Sequence, residues 1–294
     1  MKALKILSVL PISCLLCGCS ILNIFNGSGF ASKGEEVDYS TFNKQKRRID
    51  NEFHNTVFPS FVYESKVTTN AEQKTKFSLF NTDKTTGKST SKVSAKYNDN
   101  NIVLHKTTSY VAESKAKRHD VEGTEKIKGD SDYYYQYDGE YVYTINAEDK
   151  NYYYSDRDQV TASYARYLVQ YQVLREFGNE FDSLFSTGTK TGEIKYYINN
   201  LTLTMTNSYE EKLDGADYLE ITNTLEETTQ LKYSDNGISI VRKSEEKYVY
   251  EYLEDHGIYK KGMKTHSTST TKEETTLICK NVNLKPVDLS KYEN

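Results

Sequence analysis

The sequence predicts a mainly β (α+β) fold. The expected form is a large curved antiparallel sheet or half-barrel, with an N-terminal helix and a mid-chain aromatic helix packed on its concave side. Three observations predict it. From Ser60 onward, apolar and polar residues alternate with period two over most of the chain. Short turn signals separate the runs, which joins strands too closely for parallel crossovers. The composition also suits pleated, half-buried surfaces, with 26 Tyr and 11 Phe against 3 Pro in 294 residues. One continuous sheet and two β units divided by the mid-chain helix both fit the pattern.

The chain starts outside that sheet. Lys2 and Lys5 precede an apolar run from Ile6 to Leu16. A bilayer-spanning helix needs roughly 20 apolar residues, and this run is shorter. A positive start, a short apolar middle and small residues at the end read as an export signal over residues 1–18. Its end, Leu16-Cys17-Gly18-Cys19, resembles the lipobox of bacterial lipoproteins, although Cys17 stands where Ala or Ser is more usual. The resemblance implies cleavage between Gly18 and Cys19 and a diacylglycerol (palmitate-type) anchor on the Cys19 sulfur. It places the mature chain on the extracytoplasmic face of the cell membrane, because two acyl chains hold a protein stably where one does not. The plainer alternative is an ordinary secretory signal that contains cysteine.

Residues 19–37 read as a tether, with Asn26-Gly27-Ser28-Gly29 and Ser32-Lys33-Gly34 supplying flexibility. As a coil, such a segment spans about 23 Å. The β-rich domain then covers 38–294. A helix is expected at 39–57, capped by Asp38 or Ser40, with Phe42, Lys46, Ile49, Phe53 and Val57 on one face and Pro59 ending it. Its basic run Lys44–Arg48 reads first as a solvated face and second as a contact with anionic lipid.

Phe61, Tyr63, Ser65 and Val67 open the first strand. Further strands are expected at 74–80, 88–97 and 101–111, while 113–131 is polar and gives no clear assignment. Tyr133–Tyr137, Asp138-Gly139 and Glu140–Ile145 predict a tight type I′ hairpin, followed by a strand at Tyr152–Tyr154. A central helix over 158–186, capped by Asp156 or Asp158, carries Tyr164, Tyr167, Leu168, Tyr171, Leu174, Phe177, Phe181 and Leu184 at three- and four-residue steps, with Gly178 as a candidate break. Strands resume at Ile194, Tyr196 and Ile198. Leu201, Leu203 and Met205 alternate with Thr202, Thr204 and Thr206, which predicts a strand with one buried and one wet face. Ser234-Asp235-Asn236-Gly237 predicts another hairpin, Tyr248, Tyr250 and Tyr252 share a face, and two last strands fall near 263–271 and 274–283.

Composition excludes some functions. The formal charge is −4, and loss of Lys2 and Lys5 with the signal makes it −6. That balance argues against a nucleic-acid binder. Cys14 and Cys17 leave with the signal, so an anchored Cys19 leaves only Cys279 as a thiol. In Leu277-Ile278-Cys279 it reads as a small apolar side chain rather than a reactive one. The five His are scattered, and neither His119-Asp120 nor Asp255-His256 comes with metal-ligand spacing. There is no nucleophile elbow, phosphate loop or His-Glu-x-x-His pattern. No catalytic residue, metal or cofactor is therefore assigned, and no enzymatic activity is expected.

Tyrosine remains. Tyr133, Tyr135 and Tyr137 on a strand, with Tyr164, Tyr167 and Tyr171 on the helix, form the candidate wall of a pocket for a lipid-like or other hydrophobic ligand. An ordinary aromatic core with β-propensity is the plainer reading of them. The order of elements, ending in Pro286-Val287-Asp288-Leu289-Ser290, resembles bacterial lipoprotein-carrier proteins and their lipid-anchored, lipid-binding relatives. That resemblance implies an unclosed β half-barrel with helices over an apolar concavity, and it transfers no site residue. Two functions follow: a lipoprotein binding a hydrophobic small ligand under the 158–186 helix, or a surface or transporter-associated scaffold that engages a protein partner.

Overall fold

The computed structural model of the protein describes residues 30–55, 60–77, 82–118, 121–185, 192–215, 219–234, 236–255 and 260–294. Gly18 and Cys19 lie outside them. The strands are β1 (Glu35–Val37), β2 (Ser60–Lys76), β3 (Thr82–Asn98), β4 (Val103–Arg118), β5 (Val121–Tyr137), β6 (Val142–Asn146), β7 (Asn151–Asp156), β8 (Glu193–Asn199), β9 (Thr202–Gly215), β10 (Leu219–Ser234), β11 (Gly237–Asp255) and β12 (Lys260–Cys279). The helices are α1 (Tyr39–Asn55) and α2 (Ala162–Leu184).

Among the described residues, all twelve strands belong to one open sheet, in the order β1-β8-β9-β10-β11-β12-β2-β3-β4-β5-β6-β7. Every neighbouring pair is antiparallel. The choice between one sheet and two is settled by β12, which pairs with β2 from Cys279↔Phe61 to Lys264↔Lys76 and so joins the strands after α2 to those before it. The polar stretch 113–131, left open by the sequence, is the end of β4 and the start of β5, paired without a break from Arg118↔Val121.

Alternation gives the sheet two unlike faces. On β2, Phe61, Tyr63 and Ser65 point to the helices, while Val62, Glu64 and Lys66 point away. The helix-side core joins Phe42, Ile49 and Phe53 of α1 and Ala165, Val169 and Val173 of α2 to Tyr97, Leu104, Leu203, Leu231 and Leu277. Phe42 meets the Phe185 ring edge-on at 5.1 Å. Each large apolar side chain buried this way contributes roughly 1.5–3 kcal/mol. The expected packing of both helices on the sheet is present.

Local chemistry explains the ends. Asp38 caps α1, its Oδ1 accepting the Thr41 N–H at 2.8 Å. At α2 the cap is Thr161, whose Oγ1 lies 3.4 Å from the Tyr164 nitrogen, rather than Asp156 or Asp158. Gly178 does not break α2, which runs on to Leu184. The Asp138-Gly139 hairpin is not the two-residue turn expected. Tyr137 pairs with Val142, leaving a four-residue loop in which Asp138 Oδ1 accepts the N–H groups of Glu140 and Tyr141, both at 2.9 Å.

Two terminal segments cross the face away from the helices. The Gln230 carboxamide accepts the Ala31 N–H at 2.7 Å and donates to the Ala31 carbonyl at 3.1 Å. Asn98 and Asn101 donate to the carbonyls of Val282 and Leu284, and Gln136 exchanges two hydrogen bonds with Val287. Glu293 then bridges β7 through Lys150 and Tyr152.

Candidate functional site

The structure divides the six candidate tyrosines into two groups. Tyr135 and Tyr137 pack against the core from β5, and Tyr133 stands 6.3 Å from Tyr135, ring to ring. The Tyr137 hydroxyl reaches the carbonyls of Gly139 at 2.6 Å and Val160 at 2.9 Å, which fixes the approach to α2. These rings support the helix.

Tyr164, Tyr167 and Tyr171 face the other way. Their exposures are 45%, 54% and 37%. The single face expected to carry Tyr164, Tyr167, Leu168, Tyr171 and Leu174 is split: Leu168 and Leu174 pack against the core, and the three tyrosines do not. At 100° per residue, Ala165, Val169 and Val173 make one stripe of α2, and the three tyrosines make a nearly opposite one. Both stripes have apolar spacing. The small and β-branched side chains let the helix approach the sheet closely, so they take the buried side. The tyrosines form an outward array: Tyr164 and Tyr167 stack at 6.2 Å and 17°, Tyr167 and Tyr171 are 5.4 Å apart, and the Arg175 guanidinium sits 5.5 Å from the Tyr171 ring centre. Phe177, Phe181 and Leu184 are outside the described side chains.

Another aromatic group lies at β6 and β7. Tyr143 meets Tyr154 at 5.0 Å and Tyr152 at 5.7 Å, and Tyr141 meets Tyr154 at 5.4 Å. The Tyr143 hydroxyl donates to Asp138 Oδ2 at 2.7 Å, and desolvation together with that carboxylate holds its pKa well above the usual phenol range. Nearby, the His105 ring stacks on Tyr134 at 4.1 Å, and its Nε2 lies 2.7 Å from Asp132 Oδ1.

Sequence reasoning missed a charged cluster on the helix-side face. Arg242 Nε is 3.0 Å from Glu227 Oε1, and Arg242 Nη1 is 3.7 Å from Glu273 Oε2. Thr229 donates to Glu227 Oε1 at 3.2 Å. Glu273 is only 6% exposed. Desolvation, reinforced by the Glu227 charge and opposed by Arg242, pushes its carboxyl up to about 7. The register explains the meeting, since Arg242 pairs across strands with both Thr229 and Glu273. The available signal was a charged residue on the apolar phase of each strand.

A shallow groove of about 560 Å³ lies on the opposite face, lined by Asn70, Glu72, Lys88, Glu113, Lys115 and Thr270 among others. Its walls are Thr, Lys and Glu side chains rather than tyrosine. Among the described residues, no three His, Cys, Asp or Glu side chains are placed to hold a metal ion, and no helix is long and apolar enough to cross a membrane. Cys279 is half-buried, and burial raises its thiol pKa, as expected of a packing residue.

No family model matches the chain, and no curated protein matches it.

Proposed function

We propose that this protein is an extracytoplasmic lipoprotein, anchored in the cell membrane through Cys19, that acts as a non-enzymatic interaction module. Its protein partner docks on the Tyr164–Tyr167–Tyr171–Arg175 array of α2. One observation carries this reading: α2 buries its small residues and leaves three tyrosines exposed, with the Tyr167 ring against both Tyr164 and Tyr171. Tyr and Arg dominate interface hot spots, and rings already held against one another lose little conformational freedom on binding. Proximity labelling in the producing cell tests it. The wild-type chain should label one envelope protein strongly, and Tyr167→Ser/Tyr171→Ser should lose that labelling while Cys19→Ala releases the protein from the membrane fraction. An unchanged labelling profile in the double variant refutes the interaction reading, and membrane retention of Cys19→Ala refutes the anchor.

A hydrophobic small ligand is the second reading. It is favoured by Ile221 and Tyr250, paired across β10 and β11, with Leu225 and the exposed Tyr248 on the same helix-side face toward the far end of the strands. Native mass spectrometry of membrane-extracted protein distinguishes the two, because the bare polypeptide mass alone would sink this one.

A further inference from the structure

We propose that the free edge of β5 is the seam of a homodimer, in which Val121–Ile127 of one chain pairs antiparallel with the same residues of a second copy. The argument starts from an unpaired backbone. β5 pairs with β4 along its whole length, but β6 joins only from Tyr133↔Asn146 to Tyr137↔Val142. Val121–Asp132 thus has a strand neighbour on one side only among the described residues, and residues 121–130 are exposed. Soluble proteins blunt such edges with proline, bulges, covering loops or charged side chains, and here the charges of Glu122, Glu125, Lys126 and Lys128 are the device present. This stretch has no proline, and its pairing with β4 runs without a bulge. It also leaves Val121 72% and Ile127 50% exposed on the helix-side face.

A second copy satisfies these features in one register. With Thr124 opposite Thr124 of the second copy, Val121 meets Ile127 on one face and Glu122 meets Lys126 on the other, each twice by symmetry. The charges already lie in rows that this seam extends. Lys117 Nζ is 2.8 Å from Glu122 Oε1, and Lys126 Nζ is 3.2 Å from Glu113 Oε2. Across the seam the row becomes Lys117, Glu122, Lys126 of the second copy and Glu113 of the second copy, alternating in sign. Other registers are worse. Moving the centre to Glu122, Glu125 or Lys126 puts a like charge opposite itself, and moving it to Gly123 sets Val121 opposite Glu125 and loses the Glu122–Lys126 pair. The seam is short and its solution affinity low, so co-localisation raises the paired fraction through effective concentration. The geometry itself holds whether or not Cys19 is acylated.

Cross-linking of the full chain in its own membranes tests the proposal. Residues opposed in a strand pair place their Cβ atoms about 4.5–5.5 Å apart, close enough for a disulfide after a small adjustment. Thr124→Cys should give a disulfide-linked dimer under mild oxidant, above the wild-type background from native cysteines, while Gly129→Cys should not. Adding Glu122→Lys or Lys126→Glu to Thr124→Cys should cut the dimer at least tenfold. Adding both should restore it above either single variant, though not fully, because the swap regains the pairing across the seam while setting like charges beside Lys117 and Glu113 within each chain. Equal cross-linking at Gly129→Cys, no dimer from protease-resistant Thr124→Cys, ladders of higher oligomers, or failure of the double swap to restore the dimer would each overturn it.

Discussion

Replacing Glu273 with glutamine should make the protein more stable at neutral and alkaline pH and leave it almost unchanged in acid. Glu273 is buried beside Glu227 and within 3.7 Å of Arg242, and its carboxyl is pushed up to about 7 from an ordinary value of 4.5. A native pKa above the unfolded one means that the folded state holds a proton which the unfolded state has already released. Stability therefore falls as pH rises from about 4.5 to about 7, then levels off. At 1.36 kcal/mol per pH unit, the shift corresponds to about 3 kcal/mol. A glutamine side chain there carries no charge at any of these pH values, fills nearly the same volume and keeps a hydrogen-bonding head. Urea unfolding of both proteins at pH 4.5, 6, 7 and 8 isolates the effect of this pair, since carboxylates other than the neighbouring Glu227 contribute equally to both curves. With a denaturant slope near 3 kcal/mol/M, the variant's midpoint should exceed wild type by about 1 M at pH 8 and converge at pH 4.5. Parallel curves for the two proteins across this range would refute the reasoning. So would a variant less stable than wild type at pH 8, which would mean that the Arg242–Glu273 attraction outweighs desolvation and Glu227 repulsion.

Other substitutions probe the packing. Gly237→Ala should cost at least about 2 kcal/mol, because φ is +138° and an added Cβ would lie 2.0 Å from the Leu277 carbonyl oxygen; a thermal midpoint unchanged from wild type would count against this. Ile49→Ala should cost about 2–5 kcal/mol in chemical unfolding, because Ile49 is fully buried between α1 and the sheet. Tyr167→Ala should change stability by no more than about 0.5 kcal/mol, since the ring is 54% exposed. A large loss there would show that the array is structural.

The elements were legible where their signal is local. The α1 stripe of Phe42, Ile49 and Phe53 and the Asp38 cap are each set within a few residues and take the expected form. The alternation of Leu203 and Met205 with Thr202 and Thr204 does not give the expected wet face: Thr202 and Thr204 are buried too, where Gln230 and the Ala31 segment cover that side of the sheet. Turn residues were less exact guides. Asp138-Gly139 opens a four-residue loop closed by the aspartate side chain. Gly237 is required because β12 passes so close to its α-carbon. The candidate wall of tyrosines was not recoverable, because α2 has two apolar-spaced stripes and periodicity alone does not rank them. The Glu227–Arg242–Glu273 cluster was hidden because its members meet through register across three strands.

By itself the sequence determined that the chain is built of antiparallel strands with two helices, since period and turn spacing belong to each segment alone. Only the tertiary structure decided that the two β halves are one sheet and that the tyrosines of α2 face outward. The first depends on pairing between residues about two hundred positions apart, such as Cys279 with Phe61, and the second on which side chains allow the closest approach of helix to sheet. Close packing compares whole surfaces, and no window of neighbouring residues contains that comparison.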